Sequence, residues 1–185
     1  MKTESTVKYV LRLVVTLFAI TAVVAAALAG VNSITKPVID ELTAQKTQQA
    51  IEAVLPGGGE LMDPSGYTDA TGLVSKVYAS ESGYAVEVTP GGFDNTITMM
   101  VGIDKEGNVL GIDIISHTET AGLGAVADAA TPAGVAFRDQ FVGMSGSVSV
   151  SKDGGEVEAI TGATITSRAV CVGINAALDC VANMG

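Results

Sequence analysis

The sequence predicts an α+β protein in which one N-terminal transmembrane helix is followed by an extracytoplasmic domain, a twisted antiparallel sheet with flanking helices. Three observations lead there. Residues 13–31 form an uncharged apolar run, residues 73–117 hold four short β-type runs separated by turn residues, and apolar helical stretches stand on either side. At 185 residues there is room for one ordinary domain and an appendage.

The apolar run, LVVTLFAITAVVAAALAGV, has 19 residues, and a helix needs about 20 to cross a hydrocarbon core of roughly 30 Å. Lys2, Lys8 and Arg12 precede it, and Lys36, Asp40 and Glu41 are the first charges after it. The positive-inside bias therefore puts the N-terminus in the cytoplasm and the rest of the chain outside. A cleaved signal peptide is the rival reading, because Ala27-Leu28-Ala29 before Gly30 has the small-x-small form of a cleavage site. The run exceeds the roughly 7–15 residues of a signal-peptide core, which favours a retained anchor. Expected boundaries are 1–12 for the cytoplasmic N-terminus, 13–31 for the span, 32–60 for a helical stalk and 61–185 for the domain.

Seven basic and nineteen acidic residues follow Val31. So acidic a surface repels phosphate backbones and anionic lipid, which argues against nucleic-acid binding. Its plainest role is solubility. Cys171 and Cys180 lie nine positions apart in the last predicted helix, on opposite faces and about 13.5 Å apart along its axis. They cannot bridge each other there. With no further Cys and one His, His117, no zinc or iron–sulfur site is expected, and both thiols read as small apolar core groups.

Residues 33–55 carry Val38, Ile39, Leu42, Ile51, Val54 and Leu55 among good helix formers, predicting a helix interrupted near Pro37. Pro56-Gly57-Gly58-Gly59 ends it. Strands are predicted over 73–79, 84–89, 97–103 and 109–117, with Ser82-Gly83 and Lys105-Glu106-Gly107-Asn108 at hairpin turns, giving a meander. Residues 131–142 predict a short helix with Pro132 in its first turn, 148–150 another strand, and 167–184 a final helix.

Three segments carry chemistry. Thr161-Gly162-Ala163-Thr164-Ile165-Thr166-Ser167-Arg168 sets four hydroxyls among small residues at the entrance to the last helix. On the residues alone this is a helix cap, though the same N–H groups at the positive helix end also suit an anion. Ser116-His117-Thr118-Glu119-Thr120-Ala121-Gly122-Leu123-Gly124 follows a strand. His117 has no nucleophile fixed beside it by spacing, so no catalytic residue is assigned. In Val150-Ser151-Lys152-Asp153-Gly154-Gly155, Lys152 is one of three basic residues after Lys105, with Arg138 and Arg168. It is either a solvated turn residue or a counterion.

The run Thr161-Gly162-Ala163-Thr164-Ile165-Thr166 closely resembles the covalent-flavin motif, Ser/Thr-Gly-Ala-Thr-x-Thr/Ser, of the FMN-binding domain family. That family includes the G subunit of the Rnf ion-translocating ferredoxin:NAD oxidoreductase and the C subunit of the sodium-translocating NADH:quinone oxidoreductase. Its flavin transferase cleaves FAD and joins FMN through its phosphate to the threonine after Gly-Ala. The resemblance therefore implies covalent FMN on Thr164, with Thr166 as the alternative, and Thr161, Gly162, Ala163 and Ile165 around it. Glu119, Thr120, Gly122, Leu123 and Gly124 match the family's Glu-Thr-Pro-Gly-Leu-Gly loop against the flavin, with His117 just before it. Ala121 replaces the proline, which leaves the loop less rigid. Lys152 corresponds to a family lysine beside the isoalloxazine.

Anchor, stalk, sheet, loop, lysine turn and threonine motif follow in the family's order over most of the chain. The short chain, the His-x-Glu-Thr loop and the Arg-Ala-Val after the motif resemble the G subunit of the first complex more than the C subunit of the second. What this implies is an electron-transfer subunit of an ion-translocating complex in the cell (inner) membrane, with other membrane and iron–sulfur or flavin subunits as partners and a flavin transferase for maturation. No Gly-x-Gly-x-x-Gly and no nucleotide phosphate loop occurs, so neither NAD nor ATP is expected to bind. Three alternatives stay open: a component similar to the C subunit of the quinone-reducing complex, a stand-alone exported flavin reductase, and an accessory scaffold without flavin.

Overall fold

The computed structural model describes residues 3–184, so Lys2 of the basic flank lies outside the described residues. Two compact units divide the chain, residues 1–44 and 45–185.

Helix α1 covers Thr3–Val54 without the interruption expected near Pro37, which sits inside it. Proline's φ is already helical, so its cost is the missing N–H donor to the carbonyl four residues back. The helix continues on both sides of that gap, from Thr3 to Val54. In the first unit Leu13, Val15, Leu17, Phe18, Val23 and Leu28 are each more than half exposed, an apolar surface suited to a lipid phase. The two hydroxyls within 13–31 are satisfied within the helix: Thr16 donates to Arg12 O and Thr21 to Leu17 O. A medium without water demands that economy.

The second unit is an antiparallel meander, β1 (Glu60–Leu61), β2 (Val74–Ala79), β3 (Gly83–Val88), β4 (Thr98–Asp104) and β5 (Val109–Ser116), in spatial order 1-2-3-4-5. Edge strand β1 was not expected; its two residues pair with Tyr78 and Ala79. The strand expected over 148–150 does not form. Val148 gives its N–H and C=O to the side-chain amide of Asn175, and Val150 makes a single parallel bridge to Val157. The backbone groups of Val148 are thus held by a side chain instead of a neighbouring strand.

Alternation divides the sheet into two faces. Val86, Val88, Met99, Val101, Ile112 and Ile114 join the main core with Val170, Ile174, Ala177 and Leu178 of α3 (Thr164–Ala182). Ala85, Met100 and Ile115 point the other way, onto Ala50, Ile51, Val54 and Leu55 at the end of α1. Helix α3 is long and apolar enough to span a membrane, but most of it is buried, which makes it the core helix. Helix α2 (Pro132–Asp139) starts on a Thr131 cap and buries Phe137, edge-on to Phe141.

Gly102 of β4 shows how tightly α1 closes on the sheet: a Cβ there would overlap the carbonyl of Val54. Its cross-strand partner Gly111 has open space around its own Cβ position. Gly102→Ala should therefore cost about 1–3 kcal/mol of stability and lower the thermal midpoint by several degrees, whereas Gly111→Ala should be near neutral; equal midpoints would refute the close approach. Cys171 and Cys180 are free and buried, and burial pushes both thiols up to about 11. At pH 8 both are thus protonated as well as inaccessible. Iodoacetamide should leave them unmodified in the native chain and alkylate both in denaturant.

Candidate flavin site

Helix α3 begins at Thr164, three residues earlier than the pattern suggested, and its N-cap is Ala163, which offers no side-chain cap. The capping reading of the threonines is corrected accordingly. Ser167 lies inside the first turn, where its hydroxyl accepts from the Ile160 N–H and donates to Ala163 O, tying the approach segment to the helix. The Ala163 N–H bonds Ile160 O, and Gly162 takes the left-handed φ of 77° that this turn needs. Among the described residues, no acceptor meets the backbone N–H groups of Thr164, Ile165 and Thr166. Three free donors at the positive end of a 19-residue helix make an anion seat.

Glu119 is the hub beside it. Only 8% exposed, it accepts from the Phe93 N–H through Oε1 at 2.7 Å and from the Thr166 hydroxyl through Oε2 at 2.5 Å. Gly92 and Gly124 press against the carboxylate so closely that a Cβ on either would overlap it. One side chain thus fastens the β3–β4 loop, the loop after β5 and the first turn of α3 together.

The cleft that results has a volume of about 290 Å³ and is lined by Phe93, Glu119, Thr120, Leu123, Gly124, Lys152, Gly162, Ala163, Thr164, Ile165 and Thr166. Phe93, Leu123 and Ile165 are 64%, 44% and 50% exposed, so they offer apolar surface to a flat ring. Lys152 stands on the 3₁₀ turn Ser151–Asp153 and its Nζ donates to Thr164 Oγ1 at 3.1 Å. Arg168 grips Asp153 with two bonds of 2.6 and 2.7 Å and holds that carboxyl below its usual range. The two threonines differ sharply. Thr166 is 1% exposed and committed to Glu119, while Thr164 is partly exposed in the cleft.

Of the residues singled out in the sequence, His117, Thr161 and Gly122 do not line this cleft. His117 accepts the Glu119 N–H at Nδ1 and turns Nε2 toward Asp128 at 3.6 Å, so it supports the hub from behind. Thr161 and Gly122 line a neighbouring hollow against α2, with Phe137 and Gln140. Phe93 was missed. Its signal was an aromatic after Gly91-Gly92 in a loop, visible but unassigned without the fold. A larger open hollow at the α1–β1 corner, lined by Glu52, Glu60 and Glu81, holds none of the motif residues.

An anion seat, an ammonium, a reachable hydroxyl and an apolar lip fit a phosphorylated planar heteroaromatic such as FMN. The family model of the FMN-binding domain matches residues 92–179, which include every lining residue of the cleft. The G subunit of the Na⁺-translocating ferredoxin:NAD⁺ oxidoreductase complex of Acetobacterium woodii is 34% identical over 96% of this chain and 94% of its own length. The G subunit of the ion-translocating oxidoreductase complex of Methanosarcina acetivorans is 32% identical over 94% and 95%, and that of Haemophilus influenzae 32% over 77% and 75%. This chain belongs to the FMN-binding domain family, among the G subunits of ion-translocating oxidoreductase complexes.

Proposed function

We propose that the chain is the redox subunit of a membrane-bound ion-translocating oxidoreductase complex and relays electrons through FMN held by a phosphoester on Thr164. Bound FMN would supply one- and two-electron redox chemistry. The protein's part is to hold it: the α3 N–H groups receive the phosphate, and Phe93, Leu123 and Ile165 cover the ring. The observation that carries the choice of hydroxyl is the contrast between Thr164, partly exposed in the cleft, and Thr166, buried on Glu119. Covalent attachment suits a site outside the cytoplasm, where dissociated flavin is lost. A flavin transferase supplies the attachment, and the partners are the complex's other membrane and iron–sulfur or flavin subunits. Lys8 and Arg12 before the span support an N-terminus in the cytoplasm, a single crossing over 13–31 and a cofactor domain over 61–185 on the outer side.

Two experiments test this reading. When the full chain is co-expressed with the transferase, intact mass and in-gel fluorescence should find one flavin on wild type and none on Thr164→Val. Thr166→Val should keep its flavin while losing about 1–3 kcal/mol of stability, because Oε2 of Glu119 is left without its donor. Flavin retained by Thr164→Val would sink the assignment. For topology, a C-terminal alkaline phosphatase fusion should be active and a green fluorescent protein fusion dark; the opposite pair of results places the domain in the cytoplasm.

A further inference from the structure

We propose that Lys152 is the cation that receives the phosphodiester at Thr164, and that the Asp153–Arg168 pair is the brace that positions it; this rests on Thr164 as the attachment site. Lys152 sits on an exposed turn, where a lysine is ordinarily free to wander. This turn is not free. Val150 bridges Val157, the Ser151 N–H bonds Val157 O, and Asp153 is clasped by both arms of Arg168. Arg168 follows Thr164 by four residues on α3, so both project from the same face of the helix. The clasp therefore fixes the turn to the very face that carries the acceptor hydroxyl, with Lys152 Nζ 3.1 Å from it.

Charge points the same way. The chain has 20 acidic and 10 basic residues, yet among the described residues Lys152 makes no ion pair. Arg138 spends its guanidinium on the carbonyls of Ala127 and Ala129, and Arg168 is taken by Asp153. Lys152 alone of the three cations after Lys105 is directed at a neutral hydroxyl. That hydroxyl becomes the bridging oxygen of an anion. In the transfer, Thr164 Oγ bonds to the flavin-side phosphorus of a flavin dinucleotide and the pyrophosphate P–O bond breaks. AMP leaves with the bridging oxygen, the hydroxyl proton passes to the transferase or water, and no electron changes hands. One ammonium donor on Oγ and two free for the non-bridging oxygens match the charge in the dinucleotide and in the product diester.

The test is the initial rate of flavin incorporation into the full chain by the transferase with FAD, read by intact mass, together with the ³¹P resonance of the loaded protein. Lys152→Gln should slow incorporation by about tenfold or more and shift the phosphodiester resonance, while Lys152→Arg stays within about threefold of wild type. Asp153→Asn should fall between them, and Lys105→Gln should match wild type. All four should melt like wild type, which separates a charge effect from a folding defect. Wild-type rates in Lys152→Gln overturn the proposal, as does an arginine variant no better than glutamine. So does a changed flavin midpoint potential at an unchanged incorporation rate, which would put Lys152 at the ring. If wild type takes no flavin, or Thr164→Val takes it, the attachment reading fails first and the proposal falls with it.

Discussion

Glu119 brings a carboxylate to a place only 8% exposed, and each of its oxygens is met by a donor from a different segment, the Phe93 backbone and the Thr166 hydroxyl. A buried carboxylate without such partners would carry a large desolvation cost. With them it becomes a clamp whose geometry is fixed from three sides, since Gly92 and Gly124 also close on it. The positions of Phe93 and Leu123, which give the cleft its apolar lip, follow from where this clamp draws their loops. Even His117 serves it, accepting the Glu119 N–H at Nδ1.

What the clamp holds still is the first turn of a helix already immobile for another reason. Val170, Ile174 and Ala177 of α3 lie in the main core against the sheet. The anion seat is therefore the exposed end of the most buried helix, and apolar packing supplies the rigidity that a binding site needs. Sheet residues of opposite parity meet α1 on the other face, where Gly102 admits the Val54 carbonyl. Stability and site thus depend on one sheet read in two directions.

The four longer strands, β2 to β5, were legible because period-two alternation is local, and turn residues mark their ends. Strand β1 was not, because two residues, Glu60 and Leu61, carry no period; only the neighbouring β2 makes them a strand. Residues 148–150 looked like a strand by composition, but the hydrogen bonds of Val148 go to the side chain of Asn175, 27 residues away, a pairing no local pattern announces. At the site, the loop and threonine segments were legible as motifs, and their residue types drew attention before any fold was known. Their assembly was not. Phe93 enters the cleft through a backbone bond to a residue 26 positions later, and His117 leaves it by turning toward Asp128.

The start of α3 settles how two threonines so close in sequence come to differ. Had the helix begun near residue 167, Thr164 and Thr166 would lie in irregular chain with no fixed relation. Beginning at Thr164, it places both on regular helix, where two residues are separated by about 200° around the axis. One face is committed to the domain: Thr166 points to Glu119, and Val170, one turn on, is fully buried. The hydroxyl two positions earlier must then project away from it, on the face shared with Arg168 and facing Lys152. The spacing Thr-x-Thr on a helix therefore divides the labour by geometry alone. The inner hydroxyl fastens the helix to the loops, and the outer one faces Lys152 in the cleft.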